Sequence, residues 1–575
     1  MPGQTGFSKP LGEQIPDTRH AISVSLPTWD DVVAFAGKDP RVMGALKGAT
    51  PDVVAVSKLC IEIFQKQPSA IQTGVDEVTH GVGCLVFPSI TYASDCQKYI
   101  ALRPGCDTNE VALRRFDFTV SRAVGPVDGD ETARCETIDL YAVFYPEKYH
   151  DLARRFWRIS GTGISSRLAE DVLKALKESK PRTTEQQIYN RYLPSSSSHR
   201  VIQRRIASLL QSGLSMSPES LEDHSPVFGI LHLYPTGMAA IYGLTRMLRS
   251  WSGTKAVVVG FPYDSTLRVQ ETFAKDHLFY GHGTADELDQ LEAHLHEEKE
   301  IHHRTIQYVW CECTSNPLVR TPDLDRIRAL ADEYGFLVIV DDTIGIAANI
   351  NVLDVADIIV TSLSKSFNGR ADAMGGSIYL NPMQPHHDEL RRLFASKENA
   401  GYTDSSLLYH RDAQQIERNS RDYLPRIASM NANAARLVDL LTPMSDPDRA
   451  LQRIYYPRDD PNYRARMRQV KSTQDDDDGG GFGGLFTLGF ASVDVARAFF
   501  DALDVCKGSS LGAEMTLAQP YVQTVFPRKK EWAAQYGLDE AIVRCSIGVE
   551  DGEVLERVFG VAMEAAEKAF DNISL

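Results

Sequence analysis

The chain has 575 residues, too many for one ordinary core, so two or three domains are expected. With 43% hydrophobic and 24% charged residues the composition is globular. A net charge of -16 argues against a nucleic-acid binder or an anionic-membrane binder.

No stretch approaches ~18 uninterrupted apolar residues, so no transmembrane helix is expected. The opening MPGQTGFSKPLGEQIPDTRH carries no apolar core of a secretory signal and no transit-peptide pattern, which points to a cytoplasmic protein. Nine cysteines occur with no CxxC pair, the usage of reduced thiols. Their spacings fit no zinc template, and no metal site is expected.

Residues 1 to about 180 form a first block. It mixes the strand-like CLVFPSI (84–90) and DLYAVFYP (139–146) with the amphipathic helices KYHDLARRFWRIS (148–160) and SSRLAEDVLKALKES (165–179). From about 185 to 380 short β-branched runs alternate with helical periods. AVVVGFP (256–262) precedes TADELDQLEAHLHEEK (284–299), and TIQYVWCEC (305–313) precedes TPDLDRIRALADEYG (321–335). FLVIVDDT (336–343) and DIIVTS (357–362) follow. This alternation predicts a mostly parallel sheet covered on both faces, with ligands at the carboxyl ends of its strands. A long helical stretch is expected over 412–442, then a solvated acidic and glycine-rich loop at 472–484. The remainder, with GGLFTLGF (483–490), VARAFFDAL (495–503), AIVRCSIG (541–548) and a final helix, reads as a smaller α+β domain. No internal repeat is present.

Four strand ends carry unusual chemistry. YPTGMAA (234–240) turns into a helix, and Gly237 would let backbone amides crowd an anion at its N-terminus; an ordinary strand-to-helix turn is the alternative. Asp341 ends a very apolar strand, where a carboxylate needs a partner such as a protonated pyridine nitrogen or the amides of a following helix. Ser362 and Ser364 flank Lys365 and can donate hydroxyls to a phosphate. Lys365, if desolvated, becomes a nucleophile toward an aldehyde. One ligand uses all four features: pyridoxal 5'-phosphate, which needs a Schiff-base lysine, an acid opposite its ring nitrogen and a phosphate cradle.

At these residues the chain resembles the cystathionine γ-synthase group of the Cys/Met-metabolism pyridoxal-phosphate enzymes, in its long fungal form. The resemblance runs in order over about 185–575 and reaches into the first block through HAISVSLPTW (20–29) and GTGISSRLAE (161–170). It implies an α/β chain of the PLP-dependent transferase fold type I, with a mostly parallel sheet. The expected division is an N-terminal extension of unknown role (1–180), a PLP-binding catalytic domain (181–415) and a C-terminal α+β domain (416–575).

Residue by residue, SLSK implies Lys365 as the cofactor-bearing lysine, with Ser362 and Ser364 on the phosphate. TGMAA implies the backbone amides of Gly237 and Met238 there too, and VDDT implies Asp341 at the ring nitrogen. TSNP implies Asn316 beside the phenolic oxygen. FPYDST implies Tyr263, stacked on the ring and able to move protons near the leaving group. IYNRY implies that Tyr189 and Arg191 reach a neighbouring subunit's phosphate, so a homodimer or homotetramer with shared sites is expected. SSLG implies Ser510, and VRCSIG implies Arg544, as the grip on the substrate carboxylate, for which a planar guanidinium is suited. From the residues alone, the lesser alternatives are that Tyr263 fills a core gap and that Arg191 or Arg544 is a surface charge.

The chain differs from many members at Thr314, where they have proline, and at Arg370, where they have histidine or an acid. It also lacks their acidic-aromatic pattern in 401–423. These differences bear on the incoming nucleophile. The implied activity is γ-replacement on an O-acyl-L-homoserine, with cysteine giving cystathionine in transsulfuration and methionine biosynthesis. Sulfide, a carbon or amine nucleophile, or γ-lyase chemistry are the alternatives. The partners implied are small amino acids, with no nucleic acid and no membrane.

Overall fold

The computed structural model describes residues 7–46, 59, 82–123, 133–178, 182–183, 196–211, 230–468 and 481–574. The expected acidic loop lies largely outside them. No helix among the described residues is long and apolar enough to cross a membrane.

The described chain begins with a short antiparallel pair, β1 (Gln14–Ile15) and β2 (Ser23–Val24), and the helix Trp29–Ala36. Thr28 caps that helix by accepting the Asp31 N–H. This segment packs on the far end of the chain. Trp29 lies edge-on to Phe500, its N–H reaches Asp501 Oδ1 at 2.7 Å, and Lys507 Nζ donates to the Pro27 carbonyl at 2.8 Å.

A four-stranded antiparallel sheet follows, with β3 (Val82–Phe87), β4 (Ala112–Ala123), β5 (Ala133–Pro146) and β6 (Arg182–Thr183) in the order β3-β5-β4-β6. CLVFPSI is a strand only as far as Phe87; Ser89 then caps the helix Ile90–Ala101 by accepting the Thr91 N–H. The two amphipathic patterns form the helices His150–Ser160 and Ser166–Glu178 as expected. Strand alternation gives the sheet two apolar faces. Phe116, Leu140 and Phe144 pack with Leu168 and Val172 of helix Ser166–Glu178. Phe87, Tyr141 and Val143 join a core that continues into the next sheet.

That next sheet has seven strands: β7 (Leu231–Tyr234), β8 (Ala256–Val259), β9 (His277–Tyr280), β10 (Tyr308–Glu312), β11 (Leu337–Asp341), β12 (Ile358–Thr361) and β13 (Gly376–Leu380). The order is β7-β13-β12-β11-β10-β8-β9, with β13 antiparallel to both neighbours and the other pairs parallel. The sheet is therefore mostly parallel, as its apolar runs predict. Strands β8, β10 and β11 are buried along their whole length. Helices Gly237–Leu248, Asp264–Phe273, Ala285–Glu300 and Leu324–Tyr334 connect them.

The expected helix over 412–442 is two helices, His410–Asn419 and Tyr423–Leu441. Pro425, with no N–H to offer the carbonyl four residues back, cannot continue the first helix, and Arg426 bridges the break. Its guanidinium donates to the Asn419 carbonyl left free there and to the carbonyls of Ser366 and Phe367 at 3.1 and 3.2 Å. The second helix leads to a five-stranded sheet, β14 (Leu451–Tyr455), β15 (Leu485–Phe490), β16 (Cys506–Lys507), β17 (Leu517–Pro520) and β18 (Ile542–Ser546), in the order β14-β15-β18-β17-β16. Helices Val493–Ala502 and Gly552–Ser574 share its core through Phe499 and Phe559.

Candidate active site

The parallel strands β7, β8, β10, β11 and β12 end along one edge of the central sheet, and the expected residues gather there. After β7, Thr236 caps the helix Gly237–Leu248 by accepting the Ala239 N–H at 2.9 Å. Gly237 and Met238 are its first residues, so their N–H groups are among those with no intrahelical acceptor. A Cβ on Gly237 would lie 2.7 Å from Ser362 Cβ and Oγ. The glycine turn and the lysine loop, 125 residues apart in sequence, are thus in contact.

Asp341 ends β11 and is buried. Thr343 N–H donates to its Oδ1 at 2.9 Å. Burial pushes its carboxyl above the usual range, against the pull of Thr343. Directly across from it in register, Glu312 ends β10. Burial, and then the charge of Asp341, push Glu312 well up too, while its Oε1 accepts the Tyr263 N–H at 2.7 Å. Sequence reading passed over Glu312, although an acid closing the apolar run YVWC was a visible signal.

Lys365 follows β12 and is half-buried. Burial, and secondarily the positive charge of Arg544, lower its amine from an ordinary 10.5 to about 8. The amine is therefore neutral far more readily than that of a surface lysine. Ser362 N–H donates to Thr343 Oγ1 at 2.8 Å, which ties the lysine loop to the end of β11. Ser364 is turned elsewhere: its hydroxyl accepts the Gly375 N–H at 3.0 Å and donates to the Gly375 carbonyl at 3.2 Å. Gly512, also missed from sequence, brings the SSLG loop against the lysine. It sits at φ +71°, and a Cβ there would be 2.7 Å from Ser366 N and 3.1 Å from the Lys365 carbonyl carbon.

Arg544 is buried on β18. It donates to Asn316 Oδ1 at 3.2 Å and to the carbonyls of Ser509 and Ser510 at 3.1 and 2.9 Å, and lies 5.4 Å from the Tyr521 ring centroid. It is not a surface charge. Its Nε, the Ser510 and Thr314 hydroxyls and the Tyr521 hydroxyl are buried without a partner among the described residues. Asn316 lies in a turn with cis bonds at Cys313–Thr314 and Asn316–Pro317. Tyr263, at the start of helix Asp264–Phe273, is 42% exposed and so does not fill a core gap. Tyr189 and Arg191 lie outside the described residues.

The differences at Arg370 and in 401–423 have partners. Arg370 pairs with Asp422 at 2.7 Å and with Glu514. In 401–423, Tyr402 donates to Asp95, and Tyr409 and Arg411 to Asp171, while Asp412 pairs with Arg167. This segment is occupied in holding the first block.

The site's groups fit one flat ligand. A buried acid answers a ring nitrogen, a readily neutral amine answers an aldehyde, and a helix start pressed on a serine answers a phosphate. These features, on the carboxyl edge of a mostly parallel sheet, define a pyridoxal-phosphate-dependent enzyme of fold type I. Residues 228–564 match the model of the Cys/Met metabolism PLP-dependent enzymes, and residues 53–165 match that of the fungal trans-sulfuration enzyme N-terminal domain. The chain belongs to the Cys/Met-metabolism PLP-dependent family.

Among its relatives, a cystathionine gamma-synthase of Neurospora crassa is 32% identical over 97% of this chain and 98% of its own. An alanine racemase of Aspergillus violaceofuscus is 35% identical over 97% of each. In fold, the chain is similar to the crystal structure of cystathionine gamma synthase from Xanthomonas oryzae pv. oryzae in complex with aminoacrylate and cysteine. The TM-score is 0.51 at 22% identity, over 65% of this chain and 87% of that one.

The lowered Lys365 pKa has a direct readout. Only the neutral amine attacks an aldehyde, so the rate of PLP attachment to cofactor-free protein is expected to rise with pH and level off above about 8. An unperturbed lysine would keep rising toward ~10.4. Arg544→Gln removes the nearby positive charge and should move the midpoint upward. Stopped-flow absorbance across pH checks both.

Proposed function

We propose that the chain catalyses γ-replacement on an O-acyl-L-homoserine, with cysteine as the incoming thiol and cystathionine as product. The reading is carried by one juxtaposition: the 509–512 loop, whose Ser509 and Ser510 carbonyls hold the Arg544 guanidinium, is pressed on Lys365, with a Cβ at Gly512 only 3.1 Å from the Lys365 carbonyl carbon. An α-amino acid whose carboxylate is gripped by Arg544 would bring its Cα within reach of Lys365.

When bound, pyridoxal phosphate supplies the electrophilic carbon that takes the substrate amine and the ring that holds the electron pair from Cα. Asp341 would keep the ring nitrogen protonated, and Gly237, Met238 and Ser362 would hold the phosphate. Ser364, clasped to Gly375, would order the lysine loop. Asn316 would sit at the phenolic oxygen while its Oδ1 orients Arg544. Arg544 would fix the substrate carboxylate, with Ser510 beside it.

Lys365 would take the Cα proton, hand it on, take one from Cβ, and return a proton to each carbon once the new bond has formed. Tyr263, exposed at the mouth with its backbone held by Glu312, would pass a proton to the departing acyl oxygen. The Cγ–O bond breaks, a Cγ–S bond forms, and the acyl group leaves as a carboxylic acid. Tyr189 and Arg191 would complete a neighbouring subunit's phosphate site in a homodimer or homotetramer, in the cytoplasm. The whole would serve transsulfuration toward methionine.

A second reading stops at Cα. It is favoured by the likeness to a racemase, and it would use Lys365 as an acid and base on Cα alone. Other nucleophiles or γ-elimination would use the same residues. Product mass separates these. Purified holoenzyme is incubated with O-acetylhomoserine, with and without cysteine, and with L-alanine. Cystathionine formed only when cysteine is present is expected. A 2-oxobutyrate product in both homoserine tubes, or D-alanine with no cystathionine, would overturn the reading.

A further inference from the structure

Thr236 joins two parts of the chain 75 residues apart. Its hydroxyl accepts the Ala239 N–H at 2.9 Å, which caps helix Gly237–Leu248. It also donates to the Gly161 carbonyl at 2.9 Å. A hydroxyl has one proton, so this donation fixes which way its lone pairs face the helix. Gly161 ends helix His150–Ser160 at φ +61°, a conformation that favours glycine. No side chain fits there: a Cβ would lie 2.5 Å from Thr236 Oγ1 and 2.6 Å from Met238 Cβ.

Two further grips act on the same site. Asp95, on helix Ile90–Ala101, accepts from the Tyr242 hydroxyl at 2.8 Å and from Arg246 at 3.2 Å, both on helix Gly237–Leu248. Arg167 donates to the Asp372 carbonyl at 2.9 Å, in the loop that follows Lys365. The first block therefore holds the phosphate-side helix at two points and the lysine loop at a third.

We infer that Gly161 is a positioning residue for the cofactor's phosphate, and that the first block is a structural part of the cofactor site. This rests on the proposed reading of the Thr236–Met238 turn as the phosphate's seat. An anion bound by the first turn of a helix depends on where that turn is placed, and Thr236 is placed from Gly161.

The test compares pyridoxal phosphate with pyridoxal, which lacks the phosphate. Full-length protein is titrated with each by absorbance, as wild type and as Gly161→Ala, Thr236→Val, Thr236→Ser and Ser362→Ala. Gly161→Ala and Thr236→Val are each expected to weaken PLP about tenfold and pyridoxal less than about twofold. Thr236→Ser should restore the wild-type preference. A preference unchanged in both folded variants, while Ser362→Ala lowers it, would overturn the inference alone. If Ser362→Ala also leaves it unchanged, the seat itself is misassigned and the inference falls with it. Should Gly161→Ala fail to fold, the Thr236→Val and Thr236→Ser pair decides.

Discussion

Lys365→Ala is expected to yield a protein that binds pyridoxal phosphate without a covalent bond and turns over at least about a thousandfold more slowly. The proposed account gives this amine two tasks, attachment of the cofactor and proton transfer at Cα and Cβ. Both need the neutral form. Its setting provides that form, because burial and the Arg544 charge lower it to about 8. Lys365→Arg is the sharper variant. It keeps length and charge, but a guanidinium does not deprotonate in this range, so it can neither attack an aldehyde nor take a proton. Similar losses in both variants, read as kcat with the fold checked by circular dichroism, are the expected result. Activity within tenfold of wild type in either variant would remove Lys365 from the chemistry.

Asp341→Asn is expected to lower kcat by about a hundredfold while making the cofactor-free fold more stable at neutral pH. The two effects have one cause. Burial raises the folded-state pKa of Asp341 above its unfolded value. A raised carboxyl pKa means the folded state binds the proton more tightly, so folding stability falls as pH climbs past the ordinary carboxylate range. Asparagine has no such charge to bury. A protonated ring nitrogen would compensate the carboxylate, so the wild type should gain more thermal stability from pyridoxal phosphate than the variant does. Thermal midpoints with and without cofactor, at acid and neutral pH, read this directly. Equal stabilisation of both proteins by the cofactor would separate Asp341 from the ring.

The central sheet was legible because β10, β11 and β12 are apolar, β-branched runs that end in polar residues. Strands β9 and β13 escaped notice. β9 is partly exposed along its length, and β13 follows the lysine loop with no helix between, which its antiparallel direction permits. Arg544 was legible because it interrupts an apolar strand, and its carbonyl and Asn316 partners bear out its burial. Glu312 left a local trace, the acid closing YVWC, but nothing in the sequence shows that Asp341 lies opposite it in register.

The orientation of Ser364 depends on Gly375, and the grip of the first block depends on pairs such as Gly161–Thr236 and Asp95–Tyr402. Such contacts carry no local pattern. The unusual pattern of 401–423 was visible as a difference, and it has a physical counterpart: Tyr402, Tyr409, Arg411 and Asp412 are committed to Asp95, Asp171 and Arg167.

The most direct measurement is borohydride reduction of the cofactor-loaded protein, followed by peptide mass mapping. Reduction makes the lysine–cofactor link permanent, so the mass of the reduced cofactor should appear on the peptide containing Lys365 and disappear in Lys365→Ala. A label on any other lysine, or none on a protein that retains pyridoxal phosphate and activity, would contradict the site from which every role proposed above is built.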